Sequence, residues 1–141
     1  MNVKQALDKL KKEGFKFTGK REQLLRLFAE EKRYLSAKEV LASMQKLYPN
    51  VSFDTVYRNL SLFEEMDILE MTELEGEKRF RFSCSTTKHH HHLICLDCGK
   101  TRQIETCPME WLEERMESDF EVTGHKFEIY GHCYDCQMLS V

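Results

Sequence analysis

Apolar residues in the first half of the chain recur at helical spacing. Val3, Ala6, Leu7 and Leu10 fall at i, i+3, i+4 and i+7, the stripe of an amphipathic helix, and Gly14 is placed to end it. Thr18 suits the N-cap of a second helix carrying Leu24, Leu25, Leu27 and Phe28. Ser36 and Glu39 form a capping box ahead of a third helix, with Val40, Leu41, Met44 and Leu47 on its apolar face and Pro49 and Asn50 stopping it. Ser52 or Asp54 caps a fourth, which turns Val56, Leu60 and Phe63 inward. The pattern then changes. Ile68–Leu74 and Lys78–Phe82 flank Glu75, Gly76 and Glu77, as the strands of a β-hairpin flank their turn. Short helices followed by a hairpin predict a winged helix-turn-helix, whose last helix enters the major groove of DNA. A small helical bundle with a protein-binding role is the competing reading.

The second half reads differently. Ser83–Lys88 is small and polar, a hinge. His89–Ile94, Lys100–Glu105 and Lys126–Gly131 read as strands, and Pro108–Ser118 as a helix with Trp111 and Leu112 on its buried side. An α/β unit of about 50 residues is marginal alone and usually needs a metal or a partner chain. The expected fold class is therefore α+β, an N-terminal winged helix-turn-helix plus a small C-terminal α/β dimerisation domain. The expected boundaries are 1–83 for DNA binding, 84–88 for the hinge and 89–141 for the zinc-binding dimerisation domain.

Composition sharpens this picture. The chain has 141 residues, 41% hydrophobic and 32% charged, with no apolar run long enough for a membrane span. Its start, MNVKQALDKLKKEGF, lacks the apolar core of a signal peptide, so a cytoplasmic protein without membrane contact is expected. Six cysteines in that setting suit metal ligation better than disulfides. The net charge of −3 hides an asymmetry: residues 1–62 hold 13 Lys/Arg against 7 Asp/Glu, and residues 63–141 hold 8 against 17. A basic first half is what phosphate binding needs.

The strongest chemical signal is Cys95-Leu-Asp-Cys98 paired with Cys133-Tyr-Asp-Cys136. Two C-x-x-C knuckles wrap one Zn²⁺ through four thiolates, a closed and hence structural site. The second signal is the run His89 to His92. Alternation on a strand sends His90 and His92 to one face and His89 and His91 to the other, giving two half-sites. Glu70 and Cys84 would complete the first as a regulatory S/N₂/O site, and a thiolate beside imidazoles favours zinc. His89 and His91 would join His125 and an acid such as Glu110 in a second metal site, regulatory or supportive. Cys107, beside Pro108, receives no role beyond core packing.

These residues assemble into a pattern that resembles the ferric uptake regulator family, most closely its zinc-sensing branch. The likeness runs over nearly the whole chain and rests on Thr18-Gly-Lys-Arg21, on Ser52-Phe-Asp-Thr-Val-Tyr-Arg-Asn-Leu60, on His89–His92 followed by Leu-Ile-Cys-Leu-Asp-Cys-Gly-Lys100, and on His125-Lys-Phe-Glu-Ile-Tyr-Gly131. The resemblance implies that Tyr57 and Arg58 meet bases and that Lys16 reaches the adjacent minor groove. Arg58 has the fork to bond guanine, and Tyr57 a ring to pack on a thymine methyl. Lys20 and Arg21 fit phosphate contacts. Iron and peroxide sensors of the family have a histidine where Tyr34 stands, and the peroxide branch an aspartate at Gln103. Cys84 matches the thiolate of zinc-sensing members.

The expectation is thus a zinc-responsive repressor of zinc uptake genes, with zinc as structural ion and corepressor, binding an inverted-repeat operator in double-stranded DNA as a homodimer, and not an enzyme. The alternative within the family senses iron, manganese or peroxide. A zinc hydrolase and a zinc store are the rivals outside it; the first needs an open coordination position and a general base, and the second shows no DNA preference.

Overall fold

A computed structural model describes residues 1–83, 90–116 and 119–139. Cys84 and His89, and the whole of the expected hinge 84–88, lie outside the described residues. The chain divides into two compact units, Met1–Ser85 and Thr86–Val141. Among the described residues, no helix is long and apolar enough to cross a membrane.

The first unit opens with three helices whose starts are fixed by side chains. Helix α1 (Val3–Lys12) is capped by Asn2, which accepts from Gln5 N at 2.8 Å while the Gln5 side chain returns to Asn2 N. Thr18 caps α2 (Gly19–Glu31), accepting from Arg21 N at 3.1 Å. Strand β1 (Leu35–Ser36) leads into α3 (Ala37–Gln45), where Ser36 and Glu39 make the expected reciprocal box. Each such cap satisfies helix N–H groups that would otherwise lack partners. Helix α3 ends at Gln45, ahead of Pro49, so Leu47 falls beyond its apolar face and is exposed rather than buried. Ser52, not Asp54, caps α4 (Phe53–Glu65) by accepting from Thr55 N.

Val56, Leu60 and Phe63 of α4 are fully buried. They join Ala6, Leu10, Leu24, Leu25, Phe28, Val40 and Met44 in one core. Strands β2 (Leu69–Leu74) and β3 (Glu77–Phe82) pair antiparallel, and β1 adds to the far edge of β3. Their turn is two residues, Glu75 and Gly76, at φ of 52° and 81°. Two left-handed residues match the twist of the flanking strands, and the second position carries the glycine that tolerates it. Helices followed by a hairpin wing, with one face of α4 left uncovered, is the arrangement of a winged helix-turn-helix.

The second unit is built on β4 (His91–Cys95), flanked by β5 (Thr101–Ile104) antiparallel and β6 (Glu128–Gly131) parallel. The expected long helix after Pro108 is shorter. It is one turn, α5 (Met109–Leu112), followed by a 3₁₀ turn at Glu113–Arg115. Trp111 is 59% exposed, stacked under the Arg115 guanidinium, contrary to its expected place on a buried face. Six acids from Glu110 to Glu121 leave this stretch too polar to dock on a sheet so small. A last helix, α6 (Tyr134–Leu139), starts inside the second cysteine knuckle.

Candidate metal centres and nucleic-acid interface

The sheet of the second unit delivers the four cysteines to one place. Cys95 ends β4, and Cys98 follows through a turn closed by Gly99 N donating to Cys95 O at 2.9 Å, with Gly99 at φ 78°. Leu96 N donates to Gly131 O, which brings the end of β6 beside the first knuckle. Cys133 N then donates to Cys95 Sγ at 3.3 Å, and Gln137 N to Cys133 O starts α6. His132 Nδ1 lies 2.6 Å from Asp97, and Lys100 Nζ 3.3 Å from Asp135, so each knuckle also grips the other outside the sulfurs.

The ligand atoms of Cys95, Cys98, Cys133 and Cys136 all lie within 4.8 Å of one another, and Cys98 Sγ is 3.8 Å from Cys133 Sγ. Zn–S bonds of about 2.3 Å at tetrahedral angles give an S–S edge of about 3.8 Å. The thiols themselves need a cation. Burial opposes ionisation of Cys95, but backbone N–H groups of Cys133, Cys98 and Asp97 bring it down to about 6. Cys98 is pushed up by burial and by Cys95 and Cys133, and Cys136 is pushed up first by Cys133 beside it. Sulfurs this close do not all ionise unless a positive ion lies among them. The donor set fits zinc.

The histidine run splits between the two faces of β4. His91 and His92 are buried, at 7% and 8% exposed. His90 and His92 meet edge to face at 4.9 Å, and Gln103 Nε2 lies 3.3 Å from His90 Nε2. Across β4, His91 meets His125, with Cys107 Sγ near both rings. Cys107 is only half-buried, so the core-packing expectation for it is corrected. The signal lies in strand register. Ile104 pairs with His91, so the residues that follow β5 stay beside that histidine. Glu110 sits exposed on α5, outside the described cluster of His91, Cys107 and His125. Glu70 lies half-buried on β2 of the first unit, opposite Arg81.

In the first unit, α4 presents Phe53, Tyr57 and Arg58 outward. Tyr57 stacks on Phe53 at 5.8 Å between ring centres, and Arg58 pairs with Asp54 at 2.9 Å while both side chains remain largely exposed. Arg21 has a structural role beyond the phosphate contact expected of it. Its Nε donates to Asn59 Oδ1 at 3.0 Å and its Nη1 to Lys16 O at 2.8 Å. One guanidinium thus ties the loop holding Lys16 to α4. Lys20 lies over the Tyr48 ring, at the edge of a shallow groove that Thr18, Thr55 and Asn59 also line. Arg21→Ala is expected to cost about 1–3 kcal/mol in urea unfolding, the worth of charged hydrogen bonds. Arg21→Lys should not restore it, since an ammonium lacks the fork. Unchanged unfolding in both variants would remove the clip.

Residues 12–130 match the sequence profile of the ferric uptake regulator family. A ferric uptake regulation protein of Staphylococcus epidermidis is 47% identical over 137 residues, 97% of each chain. This chain belongs to the ferric uptake regulator family. Solved members share its fold. The Helicobacter pylori ferric uptake regulator superposes with a TM-score of 0.74 at 24% identity, covering 97% of this chain and 95% of that one. The Vibrio cholerae ferric uptake regulator gives 0.66 at 30% identity, covering 88% and 96%. Members are metal-responsive transcription regulators, and this ferric uptake regulator family chain is one of them.

Proposed function

We propose that this regulator is a zinc-responsive, sequence-specific DNA-binding repressor of zinc uptake genes, acting as a homodimer in the cytoplasm. The observation that carries the choice of ion is the donor chemistry. The clusters of the second unit combine sulfur and imidazole nitrogen, the set zinc prefers and manganese does not. Tyr34 supports it. Where the family's iron and peroxide sensors bring a histidine, this chain buries a tyrosine 3% exposed, with Arg81 over its ring.

The four-cysteine ion stabilises the second unit permanently. A regulatory ion held by Glu70, Cys84, His90 and His92 would draw ligands from both units, and so fix how two DNA-reading units are held in a dimer. Binding to an inverted repeat requires two α4 helices about one DNA turn apart. Moving such an equilibrium from 1:99 to 99:1 takes about 5.5 kcal/mol of differential metal affinity, which a multi-ligand zinc site supplies. On each unit Tyr57 and Arg58 would meet base edges, Lys16 the minor groove, and Lys20 the phosphates. Leu93 and Ile129, paired across β4 and β6 and 37% and 43% exposed, give the sheet an apolar patch suited to a second copy.

The names of the relatives favour a second reading, in which iron is the corepressor. Binding to a family-type inverted repeat, with free zinc, iron and manganese buffered separately, separates the two. The expected result is tightening by zinc at far lower free concentration than by the others, abolished in Cys84→Ser. Tightening by iron alone would replace zinc with iron; indifference to every metal would end the corepressor reading.

A further inference from the structure

Cys107 stands apart from the four-thiolate cluster, and two histidines converge on it. Its Sγ lies 3.4 Å from His91 Nε2 and 3.4 Å from His125 Nε2, and the two nitrogens are 3.3 Å apart. Three donor atoms thus form a nearly equilateral triangle. Hydrogen bonds serve such a triangle badly. Its corners are near 60°, and an N–H or S–H aimed straight at one partner leaves the third edge unbridged. One positive ion facing all three lone pairs satisfies every corner together.

The edge lengths select its geometry. Zn–N bonds of about 2.0–2.1 Å and Zn–S bonds of about 2.3 Å at tetrahedral angles give edges of about 3.3 Å for N–N and about 3.6 Å for N–S. Right angles with the same bonds give about 2.9 and 3.1 Å. The observed triangle lies within about 0.2 Å of the tetrahedral zinc set.

We propose that Cys107 is a thiolate ligand of a second zinc site, with His91 and His125, in the place where the sequence pointed to the carboxylate of Glu110. The inference deepens the zinc reading above and rests on it for the choice of ion. Each ligand comes from a different stretch: His91 from β4, Cys107 from just beyond β5, and His125 from just before β6. His91 is held edge-on against Phe127 at 5.4 Å, which keeps one side of the site apolar. Among the described residues between Glu105 and Lys126, none is buried. That excursion carries no core of its own, and a zinc ion joining its two ends to β4 anchors it.

Cobalt(II) is the probe. Full-length protein is first given one equivalent of zinc for the four-cysteine site, and Cys84→Ser removes the thiolate of the expected hinge site. Cobalt added next should then show sulfur-to-metal charge transfer and the strong visible bands of a tetrahedral ion. Adding Cys107→Ser should abolish the charge transfer and weaken cobalt binding by more than about tenfold, since even outer partners of a ligand are worth about 10–100-fold. Charge transfer that survives Cys107→Ser, or that disappears in Glu110→Gln instead, would overturn the assignment. Should Cys84→Ser fail to fold, alkylation of the native chain decides. Zinc should protect Cys107 from a maleimide, and His125→Ala should remove that protection; equal labelling with and without zinc would count against ligation. DNA binding is not the readout, so a thiolate-bound ion in a chain whose DNA affinity ignores zinc would sink the repressor reading alone.

Discussion

Cys95→Ser is expected to leave the second unit without its zinc and without cooperative structure, while the helical unit stays folded. Among its described residues, the only buried apolar ones are Ile94 and Cys95. Burying one isoleucine is worth about 1.5–3 kcal/mol, far below the ordering cost of some fifty residues. A structural zinc contributes about 10–16 kcal/mol in small zinc domains, which makes it the dominant stabilising element here. Cys95 also accepts from Cys133 N, so serine would lose the thiolate and loosen the contact between the knuckles. Metal content by mass spectrometry together with hydrogen exchange tests this. Amides of β4, β5 and β6 should exchange at nearly the unfolded rate, and those of α2 and α4 should keep their protection. A zinc-free variant with β4 still protected would mean that the four sulfurs are not what holds this unit.

Phe63→Ala should lower the stability of the first unit by about 3–5 kcal/mol, the cost of emptying a buried aromatic site. Phe63 is fully buried on α4 and packs in the core that α1, α2 and α3 share. An ordinary domain is stable by about 5–15 kcal/mol, so this one truncation removes a large part of the margin. DNA binding should fall with it, although the ring lies on the far side of α4 from Tyr57 and Arg58. Urea unfolding followed by tryptophan would miss the event, because Trp111 is in the other unit; helical circular dichroism reports it. Arg58→Ala is the informative contrast. Its partner Asp54 is exposed and such pairs are worth little, so the unfolding midpoint should hold while discrimination at one base drops by about 1–3 kcal/mol. Equal losses on every DNA sequence would make Arg58 a phosphate contact, and a Phe63→Ala protein of unchanged midpoint would show that the core re-forms around the cavity.

The helical unit was legible because its signals are local. Thr18, and Ser36 with Glu39, cap the helices they precede, and the apolar stripe of α4 is the buried one. Period-two alternation likewise separates His91 from the His90 and His92 pair. What escaped was set by distant partners or by their absence. Leu47 continues a helical pattern in sequence, but α3 stops first and leaves it exposed. Trp111 looks like an anchor, yet among the described residues it stays 59% exposed. Cys107 gains its neighbours from the β4–β5 register, and Arg21 gains Asn59 from a fold 38 residues away in sequence. No window of residues contains that information.

Strand β4 spaces the two clusters of the second unit. His91 and Cys95 are its first and last residues and share a face. Four strand steps of about 3.3 Å hold them about 13 Å apart. Ions that work jointly on one substrate sit about 3.5–4 Å apart, close enough for a single oxygen to bridge them. A rigid strand denies that bridge, so whatever metals these two clusters take remain mononuclear, each exchanged and titrated on its own.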